Sequence, residues 1–151
     1  HKNDRPIIHT IAYTLDGLFD AGQRLGEQRY IDAAMGGAVV LAKRFLVEGI
    51  LHGRYDAQWR GSEAFIPTGG AQLAILWHKI GTPWAVEARD TMNTLLSVVA
   101  TSGARASMDV AGALPGSFPM WGRYESFGLP NWATKYLVDT LLNEWNAKHE
   151  R

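Results

Sequence analysis

The chain has 151 residues, of which 46% are hydrophobic and 20% are charged, a composition typical of a single globular domain with its own core. Fifteen basic residues balance fifteen acidic residues, so no excess charge attracts nucleic acid or anionic lipid. Cysteine is absent, which excludes disulfides, zinc-thiolate sites and a thiol nucleophile. We therefore expect one domain over residues 1–151 and no nucleic-acid partner.

The longest apolar stretch, Met35 to Ala42, is interrupted by Gly36 and Gly37. It is well short of the roughly 20 apolar residues that a spanning helix needs, so we expect no insertion into a membrane. The chain begins at His1 with no charged and then apolar leader, which suggests a mature protein or part of a larger one. The sequence leaves the compartment open, and we expect a soluble protein, cytoplasmic rather than secreted.

Apolar side chains recur at helical spacing in five segments, and no alternating strand pattern of useful length is present. Proline opens several of these segments and glycine follows several of them, as at natural helix ends. Trp77, Trp84 and Trp145 fall on the apolar stripes, so we expect them to pack in the core or against a helix. The five predicted helices cover residues 6–23, 28–47, 70–80, 83 to about 102, and 131 onward through Trp145.

The links between the predicted helices differ in length. Only a few residues join the first helix to the second and the third to the fourth, which predicts two antiparallel hairpins. Residues 50–68 and 103–130 form the long links, and the alternation of helix direction places both at the same end of the bundle. We therefore predict an all-α fold of antiparallel helical hairpins with two long loops on one face.

Three segments together resemble a known bacterial family: HTIAYTLDGLFDAG, TGGAQLAILW and LPGSFPMWGRYESFGLPNWATKYLVDTLL. They are similar to an α/α-toroid domain of proteins associated with polysaccharide biosynthesis or modification, and the resemblance covers nearly the whole chain. The architecture is shared with six-hairpin glycosidases, polysaccharide lyases and terpenoid cyclase and prenyltransferase barrels, whose chemistries differ. It implies a toroid and a glycan-linked context, and it supplies no catalytic residues.

The resemblance also implies that the first, third and fifth helices form the inner ring and point their N-termini at the ligand face. A complete toroid has more helices than the five predicted here, so other copies or the rest of a larger chain would complete the ring. Aromatic side chains on the rim suit the apolar faces of sugars. Alternatively, these rings only anchor the long loops. The candidate ligand-binding residues are His9, Trp59, Trp121, Arg123, Tyr124, Asn131 and Trp132.

Candidate catalytic residues lie in the second long link. Glu125 and Asp109 supply the carboxylates of a glycosidase, although the sequence does not say whether they lie about 5 Å or about 9 Å apart. A lyase would instead use Tyr124 or His9 as the base and Arg123 or Asn131 to neutralise a uronate. The alternative, which we favour for any single charged residue, is a solvated loop charge or a structural ion pair.

The five histidines show no close pairing and no acidic calcium loop is present, so we expect no metal and no cofactor. The function predicted from the sequence is binding or processing of a polysaccharide or oligosaccharide on the aromatic loop face. The alternative is a helical interaction module that docks a partner protein or self-associates as a homo-oligomer, without catalysis.

Overall fold

The computed structural model describes residues 4–104 and 108–149, which are mostly helical. The all-α prediction is therefore confirmed, and residues 105–107 of the predicted second loop lie outside the described residues. A two-residue antiparallel strand pair in the first long link and a short 3-10 helix, Met108–Val110, are the other elements. The helices are α1 Ile8–Leu25, α2 Gln28–Glu48, α3 Pro67–Ile80, α4 Pro83–Ala104 and α5 Asn131–His149, and the strands are β1 Arg54–Tyr55 and β2 Gly61–Ser62.

The observed helix ends follow the sequence signals closely, with one informative difference. α3 begins at Pro67, before the predicted start at Gly70. Proline is favoured in a first helical turn, and the next residues, Thr68 and Gly69, are buried. Because Gly69 and Gly70 carry no side chain, this turn shows no apolar pattern in the sequence. The additional turn matters because it belongs to the candidate site.

α3 lies at the centre of the packing. It contacts α1, α4 and α5, while α2 packs against α1 and α4. Trp77 of α3 is fully buried, stacks on Phe45 with ring centroids 6.2 Å apart, and donates its indole N–H to the carbonyl oxygen of Ala38 at 3.2 Å. Trp84 is half-buried. Trp145, predicted to pack in the core or against a helix, is not part of the core: its side chain is 58% exposed, and its ring stacks on His149 of the same helix with ring centroids 4.3 Å apart.

Two glycines allow close helix contacts. A Cβ atom on Gly37 of α2 would lie 2.6 Å from Cδ2 of Leu15 in α1, whereas Gly36 faces open space. A Cβ atom on Gly69 would likewise lie 2.6 Å from Cγ2 of Ile8. Since real side chains do not approach so closely, Gly69 is what lets the first turn of α3 pack against the first turn of α1.

Both long links are tied to the beginnings of helices. In the first link, Gly53 accepts a hydrogen bond at 2.8 Å from the backbone N–H of Ile8, the first residue of α1. In the second link, the N–H of Phe118 donates to the carbonyl oxygen of Phe65 at 2.8 Å, just before α3. The links therefore surround the starts of α1 and α3. In the part of the chain that the structure describes, no helix is both long and apolar enough to cross a membrane.

Candidate functional site

A cavity of about 260 Å³ lies where three helices begin. Each helix contributes two side chains four residues apart, which places them on one face one turn above the other. Tyr124 of the second long link borders another side, and the cavity is open to solvent. The lining residues are His9 and Tyr13 of α1, Thr68 and Gln72 of α3, Trp132 and Tyr136 of α5, and Tyr124 of the link.

Ser117 holds Tyr124 in place. The buried hydroxyl of Ser117 donates to the carbonyl oxygen of Tyr124 at 2.6 Å and accepts the N–H of the same residue at 3.1 Å. Fixed in this way, the ring of Tyr124 lies over His9, with ring centroids 5.3 Å apart and an interplanar angle of 43°. A loop residue and a helix residue thus form one wall of the cavity.

Tyr13 and Tyr136 join the α1 and α5 sides of the cavity. Their hydroxyl groups share a hydrogen bond, and their rings meet edge to face with centroids 6.0 Å apart. This hydrogen bond is the main reason that the pKa of Tyr13 is raised above its ordinary value. The ammonium group of Lys135 lies 4.3 Å from the centre of the Tyr136 ring. Tyr13 therefore stays protonated at neutral pH, and its hydroxyl group can hydrogen-bond a ligand.

The α3 side of the cavity carries two buried polar side chains. Thr68 is 1% exposed and Gln72 is 5% exposed. Among the described residues, neither the Thr68 hydroxyl nor either polar atom of the Gln72 amide has a hydrogen-bond partner. Leaving such a group unpaired costs about 1–3 kcal/mol, and native proteins rarely leave several together. Their position in the cavity lining makes Thr68 and Gln72 candidates for binding a ligand that supplies hydrogen-bond partners.

The cavity carries little formal charge. Burial, and then the nearby guanidinium of Arg54, lowers the pKa of His9 below 6.5, so its imidazole is neutral at pH 7 and can both donate and accept. None of the described lining residues is a carboxylate. α1 and α3 are preceded by Ile7 and Ile66, which provide no side-chain cap. The uncapped helix starts favour ligand oxygen atoms nearby.

The structure brings together three of the predicted ligand-binding residues, His9, Tyr124 and Trp132, at this cavity. Trp59 lies elsewhere: it is half-buried, contacts Tyr55, and lines a separate cleft of about 820 Å³ beside the first long link. Other predicted residues do not line the 260 Å³ cavity either. Trp121 is 72% exposed on the second link, and Asn131 is the exposed first residue of α5.

Arg123 takes part in a contact between the two long links. Its exposed guanidinium lies 3.5 Å from a carboxylate oxygen of Glu63, whose other oxygen is 3.1 Å from Arg54. Since Arg54 also donates to the backbone of Arg5, this cluster ties the first link to the segment before α1. Arg123 is thereby directed toward Glu63 and does not line the cavity.

The predicted catalytic residues are not gathered at the cavity. Tyr124 lines it, while Glu125 is exposed in a left-handed backbone conformation with a φ of 45°. Asp109 is exposed in the short 3-10 helix. Within the described part of the chain, no three histidine, aspartate or glutamate side chains cluster as a metal site would require.

The sequence analysis missed four lining residues, Tyr13, Thr68, Gln72 and Tyr136. A signal for three of them was present. Tyr13 follows His9, and Tyr136 follows Trp132, by one helical turn, and Gln72 interrupts an otherwise apolar helix. Thr68 was not identifiable, since its helical turn was not predicted.

Comparison with known proteins gives no information about this site. No family model, no curated protein and no solved structure matches this chain. The toroid resemblance therefore remains a prediction, and a functional conclusion has to rest on the cavity and its side chains.

Proposed function

We propose that this domain binds a saccharide and that the cavity between α1, α3 and α5 holds one sugar residue. The observation that carries the proposal is the pair of buried, unpartnered polar side chains, Thr68 and Gln72, inside a cavity with aromatic walls. A sugar ring presents apolar C–H faces and polar hydroxyl groups. Aromatic rings such as Trp132 and Tyr124 suit the faces, and the amide and hydroxyl suit the edges.

The size of the cavity agrees with a single sugar ring. Its volume of about 260 Å³ falls just below the roughly 300–1,000 Å³ of sites for drug-sized molecules. A polysaccharide or oligosaccharide would place one residue in the cavity and extend outside it. The long links beside the cavity provide a surface for the neighbouring residues.

Binding fits the lining better than hydrolysis does. A glycosidase of the usual kind needs two carboxyl groups on either side of the scissile bond. Glu125 and Asp109 are exposed on the second link, outside the described lining of the cavity. We therefore propose a binding domain. The α/α-toroid arrangement is part of the same proposal, because the starts of α1, α3 and α5 gather at one face as the inner helices of a toroid would.

Oligosaccharide binding by alanine variants tests this function. The protein would be titrated by calorimetry with neutral and acidic oligosaccharides, and Tyr124→Ala and Trp132→Ala should each weaken binding tenfold or more. Trp145→Ala is the control, since this exposed tryptophan lies toward the other end of α5 and outside both the cavity and the long links. Full binding by both cavity variants, or no binding of any oligosaccharide to the wild type, would overturn the proposal.

Self-association is the second candidate function, and an exposed face of α5 favours it. Four apolar side chains at positions i, i+3, i+4 and i+7 form one stripe, here called the α5 stripe, and each is 39–58% exposed. The charged residues flanking it are already paired within α5, so two copies of the stripe could pack together without facing unpaired charges. The stripe consists of Val138, Leu141, Leu142 and Trp145, and the flanking ion pairs are Lys135–Asp139 and Glu144–Lys148.

Sedimentation equilibrium tests self-association. A dimer that becomes a monomer in the Leu142→Glu variant would support it, with Val47→Glu, at another exposed apolar position, as the control. A wild-type protein that remains monomeric at the highest soluble concentration would exclude a homo-oligomer formed through the α5 stripe.

A further inference from the structure

Gln72 lines the cavity, and both halves of its amide are buried without a partner among the described residues. The Oε1 atom accepts hydrogen bonds and the Nε2 atom donates them, and neither has a partner among the described residues. Thr68, one turn earlier on the same face of α3, adds a hydroxyl in the same state. A ligand that satisfies this group of atoms has to supply at least one donor and one acceptor side by side.

This requirement separates ligand chemistries. A carboxylate or sulfate group provides only acceptors when ionised, so it would pair with Nε2 and leave the buried Oε1 atom unsatisfied. A hydroxyl group both donates and accepts. Two hydroxyls on adjacent ring carbons can therefore pair with the planar amide, one accepting from Nε2 and the other donating to Oε1. The same pairing with two hydroxyl groups is possible if the amide is rotated by half a turn, so that Oε1 and Nε2 exchange places.

We infer that Gln72 binds two neighbouring hydroxyl groups of the sugar in the cavity and that Thr68 hydrogen-bonds to one of the same pair. This inference rests on the proposed function and adds the feature of the sugar that is recognised. The aromatic side chains His9, Tyr124 and Trp132 then contact the ring itself. Gln72 and Thr68, on the α3 side of the cavity, would therefore determine which sugars bind. The reason is that breaking a buried hydrogen bond costs more free energy than reducing an apolar contact of similar size.

Pairs of sugars that differ only in the hydroxyl pair test the inference. The methyl glycosides of glucose, mannose and galactose would be titrated into ¹⁵N-labelled protein and compared with their 3-deoxy counterparts. Removing the 3-hydroxyl abolishes both neighbouring pairs of the ring, at carbons 2 and 3 and at carbons 3 and 4. The Gln72 side-chain amide resonances, identified by their absence in Gln72→Leu, report directly on the proposed contact.

We expect at least one parent glycoside to shift the Gln72 amide resonances and to bind about tenfold or more tightly than its 3-deoxy counterpart. Gln72→Leu should bind the parent about tenfold more weakly and lose the discrimination between the two sugars. Thr68→Val, which keeps the side-chain shape, should reduce the discrimination in part. Inorganic sulfate, which offers only acceptors, should leave the Gln72 resonances unchanged.

Equal affinity for a parent glycoside and its 3-deoxy counterpart, with shifts at Trp132 and Tyr124, would overturn this inference while the proposed function stands. Full discrimination retained in Gln72→Leu would do the same. Saturable shifts of the Gln72 amide with sulfate would show an anion site instead. If no glycoside or oligosaccharide shifts any cavity resonance, both the inference and the proposed function fail.

Discussion

The imidazole ring of His9 and the phenol ring of Tyr124 lie with their centroids 5.3 Å apart, although one belongs to the first turn of α1 and the other to the second long link. Two hydrogen bonds between the Ser117 hydroxyl and the backbone of Tyr124 hold this part of the link beside α1. A wall of the cavity thus depends on hydrogen bonds inside a loop. The positions of the other cavity side chains depend on how three helices pack.

Gln72 should reduce the stability of the unliganded protein. We expect Gln72→Leu, which removes two buried unpaired atoms, to raise the free energy of unfolding by about 1–2 kcal/mol. Urea denaturation measures the change. Gln23→Leu, at an exposed position of α1, is the control and should change stability by less than about 0.5 kcal/mol. A clear loss of stability in Gln72→Leu would mean that the amide has a partner in the folded protein.

Gly69 should tolerate no side chain. In Gly69→Ala the new Cβ atom would lie 2.6 Å from Ile8, so we expect α1 and α3 to be forced apart at a cost of about 1–3 kcal/mol. Gly36→Ala is the matched control, because its Cβ would face open space inside α2. That variant should gain about 0.5–1 kcal/mol from its better helix propensity. Equal effects at the two glycines in urea denaturation would contradict the predicted close contact.

Acid should destabilise the protein partly through His9. Its pKa in the folded protein is below 6.5, so the unfolded chain binds the proton more readily. The stability contributed by the neutral ring is fully present above the unfolded pKa and falls as the pH decreases from there toward the lower pKa of the folded state. We expect His9→Gln to flatten this part of the urea stability profile.

The His9 prediction needs a control, because burial and Arg89 also lower the pKa of His78. His78→Gln should remove a separate part of the pH dependence, and the double variant should combine both effects. NMR titration of the His9 ring gives the pKa directly. A value at or above 6.5 would show that His9 is not protected in the folded cavity.

The hydroxyl groups of Tyr13 and Tyr136 should be energetically coupled. Tyr13→Phe and Tyr136→Phe each remove the hydrogen bond between α1 and α5, so the double variant should lose less stability than the two single losses combined. We expect a coupling of about 0.5–1 kcal/mol, since Tyr13 is more than half exposed. Strict additivity in a double-mutant cycle would mean that the two hydroxyls do not interact in solution.

Part of the candidate site could be predicted because its residues lie near helix starts. His9 and Trp132 were identified as inner-helix residues, and the cavity places both with Tyr124. Trp59 and Arg123 were grouped with them because all belong to the long links or their ends. Only the tertiary structure shows that these two residues lie away from the cavity. Arg123 lies next to Glu63, and Trp59 packs beside Tyr55 in another cleft.

The sequence by itself determined the five helices and their approximate ends, because helical periodicity, prolines in first turns and terminal glycines are local signals that tertiary packing seldom changes. It also determined the all-α class and the two long links. Only the tertiary structure decided that Gln72 and Thr68 would share a cavity with Tyr124 and that Trp145 would remain exposed. These outcomes depend on contacts between segments far apart in the chain, such as the approach of α1 to α3 at Gly69, which no local pattern encodes.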